Sequence, residues 1–163
     1  MRKLVEDMHV VAMVPPAASP AGTEIPVSMK GWDHATIIVT GDNATSVTGA
    51  TCTLKQGTAV GAAGAMTGDK ALAFTAYYLC GNTATNDTLT KTTASSTLTT
   101  PTTANANWMA VLEVNAADLD VANSFDCLRV DLTGNANCVI AAVCILSRGR
   151  YMGGLPRVSA VTD

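Results

Sequence analysis

Charge is what this chain has least of. Asp, Glu, Lys and Arg make up only 14% of its 163 residues, against about a quarter in an average soluble domain. Aromatic residues are 4%, and histidine occurs only as His9 and His34. The net charge is −3 with no basic patch, so nothing offers the phosphate neutralisation that nucleic-acid binding requires. No run of 18 apolar residues occurs, which argues against a membrane-spanning helix and a membrane partner. The opening Met1-Arg2-Lys3-Leu4-Val5-Glu6-Asp7 places two acids where a signal peptide continues apolar. A cytoplasmic site of synthesis is therefore expected.

The patterns that carry chemistry are missing too. The five cysteines, at 52, 80, 127, 138 and 144, are odd in number and lack C-x-x-C spacing, which suits buried free thiols better than zinc or disulfides. Asp33 and His34 are adjacent at a strand entry. Neighbours on a strand point to opposite faces, so Asp33 is badly placed to orient the imidazole. No Gly-x-Ser-x-Gly elbow occurs. Asp118, Asp120, Asn123 and Asp126 gather oxygen atoms, but the span lacks the loop Gly and terminal Glu of an EF-hand. These side chains are expected to cap turns. The Gly-rich run 61–68 has no lysine after its last Gly, so it is not a phosphate loop. No catalytic residue, metal site or cofactor is expected, and the chain does not read as an enzyme.

What is present is strand signal. Candidate strands are 8–14, 24–29, 35–40, 51–56, 71–79, 88–92, 108–115, 127–132 and 138–146, separated by Gly, Asn, Asp, Pro and Thr clusters that make turns. The only helical turn expected is at 115–121. In 127–132, Leu128, Val130 and Leu132 share one face while Arg129 and Asp131 occupy the other, as in a sheet with one wet side. Segment 138–146 is apolar on both faces, which fits a central strand or an interface strand. The length suits one domain over 1–163. The fold class expected is all-β, an antiparallel β-sandwich with a jelly roll as one arrangement of it. Extended arms are expected at 1–23, where Pro15 and Pro16 exclude a sheet interior, and at 148–163, rich in Gly and Arg.

Several blocks have a familiar order: Ile25-Pro26-Val27-Ser28-Met29-Lys30-Gly31-Trp32-Asp33-His34, Val47-Thr48-Gly49 with Thr53-Leu54-Lys55-Gln56, Lys70-Ala71-Leu72-Ala73-Phe74-Thr75, and 119–130. Arg150-Tyr151 and Ser159-Ala160-Val161-Thr162-Asp163 close the series. Over roughly residues 24–163 the chain resembles a family of small virion structural proteins of tailed bacteriophages, similar to head decoration or cement proteins. The resemblance implies a protein made in the bacterial host cytoplasm and carried on the exterior of the phage head. Its partners would be the major capsid protein and itself, as a dimer or trimer. The two termini are the expected contact elements, with Pro15, Pro16, Arg148, Arg150, Tyr151 and Arg157 at the interface. Two other readings remain. One places the protein in the tail or head–tail joint. The other is a carbohydrate-binding, receptor-recognising sandwich that stacks sugars on Trp32, Tyr77, Tyr78, Trp108 or Tyr151.

Overall fold

The computed structural model describes residues 7–18, 22–45, 49–61, 64–93, 96–133, 137–150 and 159–161. Among the described residues thirteen strands form: β1 (His9–Ala18), β2 (Val27–Ser28), β3 (Trp32–Asn43), β4 (Thr51–Gly57), β5 (Ala59–Val60), β6 (Met66–Thr67), β7 (Lys70–Leu72), β8 (Ala76–Cys80), β9 (Thr90–Thr93), β10 (Thr97–Thr99), β11 (Asn107–Asn115), β12 (Cys127–Leu132) and β13 (Cys138–Gly149). A six-stranded sheet runs β1-β13-β3-β11-β8-β9 and a five-stranded sheet runs β10-β4-β12-β2, with β7 beside β4. The pairings are antiparallel. The chain is an all-β sandwich.

Alternation along the strands builds the core. Ala35, Ile37 and Val39 of β3, Ala110, Leu112 and Val114 of β11, and Ile140, Ala142, Cys144 and Leu146 of β13 turn inward and are buried. Cys52 and Leu54 of β4, Leu98 of β10 and Leu128, Val130 and Leu132 of β12 face them within the same hydrophobic cluster. One glycine is fixed by this packing. A Cβ on Gly41 would lie 2.3 Å from the ring of Trp108, its cross-strand neighbour, so only Gly lets the indole lie flat on the sheet. The indole Nε1–H donates to Asn43 Oδ1 at 3.1 Å. The Asn43 amide in turn donates to the carbonyls of Pro101 (2.8 Å) and Thr103 (3.0 Å). A buried aromatic and a buried amide thus pin the loop leading into β11.

Four sequence expectations change. Residues 9–18 of the expected N-terminal arm are not an arm but the edge strand β1, paired with β13. Pro15 and Pro16 are tolerated there because an edge strand has one side that needs no N–H donor, and two register shifts, at Ala12/Val14 and Val14/Ala17, absorb the irregularity. Segment 71–79 is not one strand: β7 joins the five-stranded sheet and β8 the six-stranded one. Phe74, between them, is buried and meets Tyr77 edge-to-face at 6.4 Å. The Thr-rich and Gly-rich loops contain the short strands β10, β5 and β6. The expected helical turn is two 3-10 turns, Ala116–Asp118 and Val121–Asn123.

Candidate functional site

The two outer faces of the sandwich are the surfaces on which function has to be sought, and they differ in chemistry. On the five-stranded sheet, Lys55 and Arg129 are cross-strand neighbours. Arg129 Nε meets Asp131 at 2.6 Å and its Nη2 meets Asp69 at 2.7 Å. Lys55 Nζ lies 3.6 Å from Asp69 and 4.0 Å from Asp131. The hydrogen bond that Arg129 donates to Asp131 raises the Arg129 pKa above its ordinary value, with the Asp131 and Asp69 charges adding to it. Lys55, Arg129 and Asp131 line a groove of about 580 Å³ with Glu24, Thr53 and Thr133. Their charges are neutralised within the face itself.

The middle of the outer face of the six-stranded sheet is mainly apolar. Ala12, Val143, Ile38, Val111 and Tyr78 stand side by side across β1, β13, β3, β11 and β8. Val10 and Ile145 flank that row on one side, and Ala141 and Met109, with Val139 beyond, on the other. Val10 and Val139 are each 44% exposed and Tyr78 38%. At one end of the face a groove of about 610 Å³ is bounded by Pro16, Thr40, Asp42, Met109, Val139 and Ala141, among others. β13 is therefore central in its hydrogen bonding, while its outward residues are half-buried at Ala141, Val143 and Ile145 and exposed at Val139.

At the opposite end lies a polar cluster. The His34 imidazole is 2.9 Å from Glu113 Oε2 through Nε2 and 3.3 Å from Ser147 Oγ through Nδ1. Thr36 Oγ1 donates to the same Glu113 oxygen at 2.9 Å. Serine, imidazole and carboxylate are thus in one chain of contacts. The three side chains lie on adjacent strands of a continuous sheet. What the arrangement does is close the end of the apolar face with a satisfied polar pair. Asp33 points away and pairs with Arg150, as the strand alternation requires.

The expected contact residues scatter. Pro15 and Pro16 are exposed on β1, Arg148 is exposed near the end of β13 with φ +54°, and Arg150 is held by Asp33. Tyr151 and Arg157 lie outside the described residues. Of the expected C-terminal arm, Ser159–Val161 rest against the body: the Ser28 amide donates to the Ala160 carbonyl at 2.7 Å, and Ala160 is buried.

The other candidates are occupied structurally. Asp118 accepts from the Asn115 amide at 2.8 Å, and Asp120 pairs with Lys70 at 2.7 Å while accepting from Asn123. The Lys70 hydrogen bond, followed by that of Asn123, lowers the Asp120 pKa. Asp126 lies 3.8 Å from Lys30. Of the five aromatic sugar platforms considered, Trp32, Tyr77 and Trp108 are buried. All five cysteines are buried, and burial pushes the Cys52 and Cys144 thiols up to about 12. Among the described residues no group of three or more His, Cys, Asp or Glu could hold a metal ion, and no helix is long and apolar enough to cross a membrane.

No family model matches the chain, and no curated protein matches it. Among solved structures, the crystal structure of the SPBc2 prophage-derived protein YomS is similar at 14% identity and a TM-score of 0.42. The match covers 86% of this chain and 94% of that one.

Sequence reasoning placed weight on the termini and missed the outer face. The signal for it was visible in the two-sided apolarity of 138–146, but neither Val111 of β11 nor Ile38 of β3 announces which residue stands beside Val143. That depends on strand order.

Proposed function

We propose that this chain is a structural protein of a tailed-phage virion, a decoration protein that binds the outside of the head across joints of the major capsid protein. The observation that supports this best is the antiparallel sandwich itself, built on a chain in which only 14% of residues are charged, since surface poor in charge suits protein contact. The resemblance in block order to small phage virion proteins is what favours the head. A rigid antiparallel body suits the role, since a cement resists strain by packing and needs no reacting group.

Co-sedimentation with expanded heads purified without the protein tests the reading. Binding that saturates at a fixed ratio to the capsid protein is the expected result. Arg148→Glu, at the exposed end of β13, should weaken it. Failure to bind heads at any ratio overturns the decoration role, and binding to tails instead would move the protein to the tail or head–tail joint.

A further inference from the structure

We infer that the outer face of the six-stranded sheet is a two-fold interface between two copies of this chain. This holds wherever in a virion the protein sits, so it stands apart from the decoration reading.

Antiparallel sheets ordinarily keep one face wet. This one presents Val10, Ile38, Val111, Val143 and Ile145 to the outside, with the small Ala12 and Ala141 between them. Short and β-branched side chains on a pleat make a shallow corrugation, and its best complement is another pleat of the same spacing stacked ~10 Å away. A second copy carries that pleat by construction.

Charge is arranged to match. Within the five-strand row Ala12–Val143–Ile38–Val111–Tyr78 there is no ionisable group but the tyrosine phenol. The charged groups lie around it: the His34–Glu113 pair toward one end, Asp42 toward the other, and Lys91 beyond Tyr78 on β9. Two copies would meet neutral on neutral, leaving the charges at a polar rim.

Size and one edge are compatible with this. Five strands at ~4.8 Å and about six residue steps of ~3.4 Å outline roughly 480 Å² per copy with the rows of Glu113 and Asp42 included as rim, hence on the order of 1,000 Å² for a pair, about the threshold for a specific interface. Growth by edge addition is obstructed on the β1 side, where Pro15, Pro16 and two register shifts interrupt the ladder.

Sedimentation equilibrium from micromolar to millimolar concentration tests this. The wild-type chain should be a dimer. Val143→Glu and Val139→Glu should each weaken it on the order of 100-fold. Lys55→Gln, on the opposite face, should leave it intact. Val139 is 44% exposed, so Val139→Glu should fold even if Val143→Glu does not; circular dichroism checks this. A monomer throughout the range, a trimer, or a dimer indifferent to Val139→Glu would each overturn the inference.

Discussion

The outer faces of β12 and β13 show how one fold makes two surfaces. Both strands bury alternate residues in the same core, Val130 on one and Ala142 on the other. Between the buried positions β12 places Arg129 and Asp131, whereas β13 places Ala141, Val143 and Ile145. The first face satisfies itself through ion pairs and stays stable in water. The second cannot satisfy itself, because apolar surface is relieved only by being covered. The difference teaches that burial by the chain's own residues and burial required by the chemistry are separate quantities, and a surface where they disagree is where a partner is expected.

The sharpest way to break this comparison uses two neighbours on β13. Ile140 is fully buried and Val139 is 44% exposed. Ile140→Asp puts an unpaired carboxylate in the core and should cost more than about 4 kcal/mol. Val139→Asp should cost within about 0.5 kcal/mol in the monomer. Urea midpoints at low protein concentration separate the two, and equal losses would show that the outer face is interior.

Gly41→Ala should cost about 2 kcal/mol, because its new Cβ meets the Trp108 ring and the ring also holds Asn43. The indole's fluorescence maximum should move to the red as the ring is displaced. On the wet face, Arg129→Ala removes contacts to Asp69 and Asp131. The loss there should be about 1 kcal/mol, shrinking as salt is added. A larger loss that salt does not change would mean that the arginine stem packs as core.

The inner faces should look alike where the outer ones differ. Cys144 on one sheet and Cys52 on the other both have thiols raised by burial from an ordinary 9.0 to about 12. Neither should alkylate near neutral pH until the protein unfolds. The linkage has a definite sign: the folded state keeps protons that the unfolded state gives up, so stability should fall as pH rises from about 9 toward 12. The smallest effect is local. Lys70→Ala should return the lowered Asp120 pKa toward its usual 3.8, read from its carboxyl-carbon NMR titration. With the lysine present, the small stabilisation it confers is lost as pH falls through the depressed value.

Several elements were legible in the residues themselves. β12 was bounded at 127–132 by its alternation, whereas strand parity said only that Tyr77 and Tyr78 point to opposite faces, and the packing decided that Tyr77 is the buried one. β10 was not legible, because Thr97–Thr99 lies in a Thr-rich stretch whose composition equally suits a loop. Its strand state comes from pairing with Thr51–Thr53. Segment 71–79 could not reveal its own division, since local pattern does not say which of two sheets a strand joins.

The sequence by itself determined which residues alternate, where turns fall, and that little charge is available to solvate a surface. Those properties follow from side-chain chemistry and a two-residue period. Only the tertiary structure decided that the strand expected at 8–14 runs on to Ala18 and pairs with β13, that Gln56 reaches the Asp120 amide, and that Ala12, Val143, Ile38, Val111 and Tyr78 form one row. Those five residues are drawn from across the chain, and hydrogen-bond register between distant strands is what brings them to one face.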